Sequence, residues 1–383
     1  MIARSRPLIA TIALATTLAT GLAGCSGSAP DEPPPLSDEA LSAVSTSPGA
    51  PRRALAREID DLFVREDLGE TRAVVLMEGG RIAAERYAPG YDANTRFVSW
   101  SMAKTVTAVL IGLLVSDGRL RLDQPAPVPQ WQRAGDPRSA ITLRHLLQMR
   151  SGLDHTESGP DARTSSEVQM LFLDGRDDMA GWAEEQPLEA EPGERFEYSS
   201  NTTVILADIA ARVLSESDDP DERRQAVSTY LRSRLFGPLG MTSVVPEFDR
   251  SGTLIGGSLI HATARDWAKF GDFLRNKGSY RGEQIVPRAW VEAMTTPSPR
   301  SPQYGFQTWL NRPLEDGEGG HPLFPSRAPQ TLFAMIGHMG QYVLISPEQR
   351  LTLVRLGHSD EPQRKALLQQ AADVIELYPA SGT

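Results

Sequence analysis

The chain has 383 residues, 40% of them hydrophobic and 23% charged, which is the balance of a globular protein with room for one large domain or two ordinary ones. Its formal net charge is −10 and it contains no long basic run, which argues against a nucleic-acid binder that would need a cationic face to release counterions. A single cysteine excludes any intrachain disulfide, so the fold must rest on its apolar core.

The first residues read as a targeting segment. Arg4 and Arg6 precede an apolar run from Leu8 to about Ala23, too short and too poor in large side chains for a comfortable membrane span. The run ends in Leu22-Ala23-Gly24-Cys25, small residues of the kind that precede a cleavage point. This stretch resembles the lipobox of bacterial lipoproteins. The resemblance implies a signal peptide over residues 1–24, a lipid on Cys25, and a protein held at the cell envelope on the extracytoplasmic side by that lipid alone. An ordinary signal peptide with an incidental cysteine is the other reading. Residues 25–50 are rich in Ser, Pro, Ala and Gly and are expected to form a disordered tether. The folded domain is expected over 51–383.

In chain order, Leu55, Ile59, Leu62 and Phe63 put one apolar side on a helix over 52–66. The runs Ala73–Met77 and Ile82–Tyr87 flank Glu78-Gly79-Gly80-Arg81 and predict a β-hairpin. Ser101–Ser116 predicts a helix closed by Asp117-Gly118. The stretch "ITLRHLLQMRSGL" predicts another, with Thr142 as cap and Ser151-Gly152 as stop. Residues 158–194 are acidic and poorly periodic, with helical islands such as Glu167–Leu173, and read by default as a solvated face. Helices follow at Asn201–Ser215, Thr263–Asn276 and Pro287–Met294. The runs "TLFAMIG", "QYVLISP" and "RLTLVRLG" predict three neighbouring antiparallel strands, and Glu361–Leu377 a final helix. Strands at both ends with helices between them predict an α+β fold. One antiparallel sheet would join the N-terminal hairpin to the C-terminal strands, with a helical subdomain over about 98–250.

The chemistry centres on Ser101-Met102-Ala103-Lys104. Positions i and i+3 share a helix face, so Lys104 can reach the Ser101 hydroxyl. A serine needs a base to become a nucleophile, and a lysine serves as one only when neutral. The apolar run from Val106 to Leu114 predicts a buried helix that would lower the Lys104 pKa. The chain carries no G-x-S-x-G elbow, H-E-x-x-H, Walker loop or G-x-G-x-x-G, and its six histidines are scattered, so no metal or cofactor site is indicated. Two distant stretches add to the pair. Tyr198 stands in "FEYSS" before an apolar helix. His338-Met339-Gly340 stands before an apolar strand. Taken singly, either would more ordinarily be structural.

In the order S-x-x-K, Tyr-Ser-x, His-x-Gly, these stretches resemble the serine β-lactamase and penicillin-recognising superfamily. The class C-like branch, with its esterases, D-aminopeptidases and 6-aminohexanoate-dimer hydrolases, is the most similar. "SWSMAKTVTAVLIGLLVSDGRLRLDQP", "GGSLIHATARDWAKFGDFL", "YGFQTW" and "GHMGQ" extend the similarity from about Val98 to Gly357. The resemblance implies a β-lactamase/transpeptidase-like fold and an acyl-enzyme on Ser101, with Lys104 and Tyr198 moving the proton. It implies an oxyanion hole from the N–H groups of Ser101 and Gln341, and a binding wall from His338, Gly340 and Ser200. It implies no cofactor, no nucleic-acid partner, and a small ester or amide as substrate. Ser199-Ser200-Asn201 offers a competing register to Tyr198-Ser199-Ser200; Phe196 and the following helix fit the tyrosine register. His338 stands where many relatives carry lysine, which removes the cation that helps hold a β-lactam carboxylate. Three activities stay open: an esterase or amidase, a β-lactamase or peptidoglycan DD-peptidase, and a non-catalytic binding protein on the same scaffold.

Overall fold

The computed structural model describes residues 35–314 and 323–380. The leader segment and Cys25 lie outside the described residues.

The chain begins with α1 (Asp38–Ser42) and α2 (Arg52–Val64), followed by the hairpin β1 (Glu70–Glu78) and β2 (Arg81–Tyr87). Gly79 and Gly80 turn the hairpin with φ of +56° and +84°, the left-handed pair that matches strand twist. A short β3 (Arg96–Val98) leads to α3 (Ala103–Ser116), then α4 (Leu143–Leu147), α5 (Ser166–Phe172), α6 (Met179–Glu184), α7 (Ser200–Leu214) and α8 (Pro220–Leu231). The chain returns through β4 (Val245–Pro246), β5 (Ile260–Thr263) and α9 (Ala264–Arg275). A small ribbon, β6 (Ser279–Tyr280) and β7 (Glu283–Gln284), precedes α10 (Arg288–Met294). The last elements are β8 (Trp309–Leu310), β9 (Phe333–Gly337), β10 (Gln341–Ser346), β11 (Leu351–His358) and α11 (Glu361–Glu376).

The main sheet has six strands in the order β2-β1-β11-β10-β9-β8, so the N-terminal hairpin joins the C-terminal strands as expected. Strands β1 and β11, which join the two ends of the chain, are antiparallel, with Val75 opposite Val354. Strand β1 is buried on both faces, which is why it reads as a continuous apolar run. Ala73, Val75 and Met77 face one core with α3, α7 and α9; Val74 and Leu76 face a second core under α2 and α11. The fold is therefore an α+β sandwich of helices about one antiparallel sheet, with the helical elements α3–α8 inserted between β3 and β4.

Three boundaries differ from expectation. The chain folds upstream of Pro51: α1 packs on α2, Ala40 and Val44 are buried, and Val44 bridges to Ala84. The spacing of Leu36, Ala40, Leu41 and Val44 is that of an apolar helix stripe, which the Pro- and Ser-rich composition around it masks. Helix α4 stops at Leu147 because Met149 takes a φ of +55°. Ser101 lies in a 3₁₀ turn over Trp100–Met102, and the regular helix starts only at Ala103. Among the described residues no helix is long and apolar enough to cross a membrane.

Candidate active site

The segment before α3 is tightly pinned. The Ser99 hydroxyl accepts from the Ile260 N–H at 3.1 Å, and the Ser99 N–H donates to Ile260 O at 2.8 Å. Trp100 follows with a φ of +45°, a left-handed conformation for a bulky residue that costs energy and sits immediately before Ser101. Ser101 is thereby presented at the surface of a cleft, while Ala103 to Leu114 of α3 are buried on every side.

Lys104 is 1% exposed, and its three shortest hydrogen bonds match the three N–H donors of an ammonium. It donates to Ser101 Oγ at 2.9 Å, to Ser200 Oγ at 2.7 Å and to Gly257 O at 3.0 Å. Its Nζ also lies 4.8 Å from the centre of the Tyr198 ring. Tyr198 is held by stacking against Tyr304 and Trp309 at centroid distances of 5.7 and 5.1 Å. Burial raises the Tyr198 pKa, while Lys104 and hydrogen bonding to Ser101 and Lys104 pull the other way. Tyr198 lines the cleft, and Ser199 caps α7. Ser200 supplies the lysine contact, whereas Asn201 turns into the core and donates to Ser166 O.

Two carboxylates complete the surroundings of Lys104. Glu157 Oε1 lies 3.4 Å from Nζ, and its carboxylate accepts from both the N–H and the hydroxyl of Ser200 at 2.5 and 2.7 Å. Glu167 Oε1 lies 3.0 Å from the same hydroxyl. Burial and the neighbouring Glu157 push the Glu167 pKa up to about 7 against the pull of Lys104. The expected lowering of the Lys104 pKa does not hold. Burial does press it down, but Glu157, Tyr198 and Glu167 together outweigh burial, and the net displacement is upward. The sequence reading did not single out Glu157 and Glu167, because the acidic stretch around them lacks periodicity. Its first part is not a solvated face: it forms one wall of the cleft.

That cleft has a volume of about 550 Å³ and brings together Ser101, Glu157, Glu167, Tyr198, Trp309 and His338. The opposite wall is the edge of β9. Gly337 passes so close to the Ser101 turn that a Cβ there would lie 2.4 Å from Ser99 O, so only glycine fits.

Residues 63–376 match the profile of the Beta-lactamase family. The chain belongs to that family. It is 27% identical over 256 residues to the 6-aminohexanoate-dimer hydrolase of Paenarthrobacter ureafaciens, a match covering 63% of this chain and 61% of that protein. Among solved structures, it resembles a Bacillus anthracis protein assigned as a 6-aminohexanoate-dimer hydrolase, with a TM-score of 0.64, 22% identity, and 80% and 79% of the two chains covered. It also resembles a family VIII carboxylesterase, with a TM-score of 0.58, 16% identity, and 84% and 96% covered. Both structural likenesses show the β-lactamase-like fold.

Gln341, the expected oxyanion donor, stands at the end of the β9–β10 pair. The N–H of Asn311 donates to Leu332 O at 3.0 Å across the β8–β9 pair. Hydrogen bonding alternates along an antiparallel strand, so the even-numbered residues of β9 turn their N–H and C=O toward β8 and the odd ones toward β10. Gln341 is paired with Gly337, an odd position, and its N–H is used in the ladder. Its side chain ties the turn together by donating to His338 O, Met339 O and Gly357 O. His338 follows the last residue of β9 and opens a short 3₁₀ turn, with Gly337 and His338 both lining the cleft. Gly340 also leaves the expected binding wall; it is buried, has a φ of +80°, and its carbonyl accepts from the buried Arg355 at 2.9 Å. The His338 ring does line the cleft, edge-on to Trp100 at 5.5 Å, and burial with the nearby Arg364 guanidinium lowers its pKa. Among the described residues no cluster of His, Cys, Asp or Glu could hold a metal ion.

Proposed function

We propose that the chain is a serine hydrolase that cleaves small esters or amides through an acyl-enzyme on Ser101. The observation that carries this reading is the 2.9 Å contact between Lys104 Nζ and Ser101 Oγ at the floor of a cleft that also holds Tyr198. Lys104, with Tyr198, takes the Ser101 proton as Oγ attacks the carbonyl carbon. The N–H groups of Ser101 and His338 stabilise the oxyanion, each such donor being worth about 3 kcal/mol. Tyr198 passes a proton to the leaving group, and water then releases the acyl group with the same residues as base. The reading extends to amides of linear amino acids by analogy with the 6-aminohexanoate-dimer hydrolase.

His338 supplies no permanent cation where many relatives carry lysine, but Arg364 lines the same cleft, so the choice between simple esters or amides and penicillins is decided by turnover. The test is turnover of p-nitrophenyl esters, linear amides and nitrocefin by the wild type and Ser101→Ala. Ester or amide turnover that vanishes in the variant supports the reading. Nitrocefin turnover matching the ester rate favours a β-lactamase instead, and binding of a substrate without turnover favours a non-catalytic protein. Lipid attachment at Cys25 is part of the same proposal and is tested by labelling cells with a palmitate analogue: Cys25→Ser must lose the label.

A further inference from the structure

Lys104 Nζ lies within hydrogen-bond reach of Ser101 Oγ, Ser200 Oγ, Gly257 O and Glu157 Oε1, a set of acceptors that favours the ammonium form in the resting protein. An ammonium cannot take a proton from Ser101. Something must first remove one of its own. The shortest route away from Ser101 runs through Ser200, whose Oγ is 2.7 Å from Lys104 Nζ and 2.7 Å from Glu157 Oε1. The direct route from Lys104 to Glu157 is longer, at 3.4 Å. Glu157 is oriented for the task because the Ser200 N–H holds its other oxygen at 2.5 Å. Glu167 waits on the same hydroxyl at 3.0 Å. Ser200 has one hydroxyl hydrogen and can donate to one carboxylate at a time.

We infer that Ser200 and the carboxylates of Glu157 and Glu167 form a proton relay that unloads Lys104 and frees it to act as the base. The inference rests on the hydrolase reading above and deepens it. In the first step a Lys104 N–H bond breaks as a Ser200 O–H bond forms, and the original Ser200 O–H bond breaks as a carboxylic acid O–H bond forms. The products are a neutral amine, an unchanged serine and one neutral carboxyl. In the second step the Ser101 O–H bond breaks toward the amine lone pair while Oγ bonds to the substrate carbon and the carbonyl π pair moves to oxygen. The leaving group departs with its bonding pair and a proton handed on by Lys104 through Tyr198. After water has released the acyl group, the carboxyl proton returns through Ser200 to Lys104.

The groups that face this relay come from several elements. Lys104 lies on α3, Glu167 on α5, Glu157 in the loop after α4, and Tyr198 just before α7. Tyr304 and His338 also sense the Glu157 charge, and Arg364 acts on His338 from α11. Ser200, Glu157 and Glu167 act through Lys104 and are positioning residues in this scheme.

The experiment measures the rate of Ser101 labelling by a fluorophosphonate as a function of pH, with the full chain and without need of the natural substrate. Ser200→Ala should slow labelling by about a hundredfold, and Ser200→Thr, which restores a hydroxyl, should return it to within about threefold of wild type. The pair Glu157→Gln/Glu167→Gln should slow labelling and abolish the acid limb that the carboxylates impose. Ser200→Ala labelling as fast as wild type overturns the relay. So does a double glutamine variant that labels faster at neutral pH, the result expected if the carboxylates merely hold the lysine protonated. If the double variant does not fold, the Ser200→Ala and Ser200→Thr pair decides alone. Absence of Ser101 labelling in the wild type overturns the hydrolase reading and the relay together; labelled wild type with an unaffected Ser200→Ala overturns only the relay.

Discussion

The Ser200 hydroxyl lies closer to Lys104 Nζ than the Ser101 hydroxyl does, at 2.7 against 2.9 Å. The lysine is thus suspended between Ser101 and a second serine, Ser200, that carries the acidic pair. This arrangement makes the protonation state of Lys104 a property of the whole cluster rather than of its burial.

Ser101→Ala should lower kcat/KM for a reactive ester by at least about a thousandfold, and Tyr198→Phe by about a hundredfold or more. Neither change touches a core apolar contact of α3, so circular dichroism and the thermal midpoint should stay near wild type. Steady-state kinetics with thermal denaturation of the same preparations checks both parts.

Helix α3 depends on a close contact behind the site. Trp290 packs on Gly112 and donates its indole N–H to Ala108 O at 3.1 Å; a Cβ on Gly112 would lie 2.3 Å from the indole nitrogen. Gly112→Ala should therefore cost about 1–3 kcal/mol by overpacking. Denaturant titration of the variant would show a lower midpoint at an unchanged slope.

Glu167 and the buried His155 give opposite pH dependences. The folded-state pKa of Glu167 is raised from 4.5 to about 7, so the folded protein binds the extra proton and stability declines as pH rises through that window. Glu167→Gln should remove this decline. Burial lowers the His155 pKa from 6.5 to about 4, while its ring contacts Thr202 Oγ1 and Ala183 O. Its folded form binds fewer protons, so the stability it lends is complete above about 6.5 and is lost as pH falls through about 4. His155→Gln should flatten the acid side only. Thermal midpoints of both variants across the pH range check the signs.

Arg355 braces the turn that carries His338. It is 2% exposed and donates to Thr71 Oγ1, Gly340 O, Glu70 O and Ser359 Oγ, while burial pushes its pKa down to about 10. Arg355→Met would leave these acceptors without their donor and should cost about 2–4 kcal/mol. Because the loosened turn includes His338, kcat should fall as well, and the combination of denaturation and ester kinetics distinguishes this from a purely global loss.

The parts of the site legible in the sequence are those bound by local geometry. Ser101 and Lys104 share a face because they are three residues apart on one turn. The hairpin at Gly79-Gly80 and the alternating runs of β9–β11 carry the period of strands, so the sheet could be read with them. Tyr198 and His338 were legible only because their order and surroundings resemble a family. Glu157 and Glu167 were not: each reaches Lys104 from a stretch with no regular period, and only packing of α5 and α7 against α3 decides that they meet at Ser200.

The amino-acid sequence by itself determined the elements, the buried helix behind Ser101 and the spacing of serine to lysine, because hydrophobic period and side-chain reach are local. The tertiary structure alone decided two matters. It set how the His338–Gln341 turn meets the cleft, since that depends on strand pairing across β8–β9 and β9–β10, which a shift of one residue reverses. It also set the direction of the lysine pKa, since burial and two carboxylates act against each other and only their distances decide which prevails.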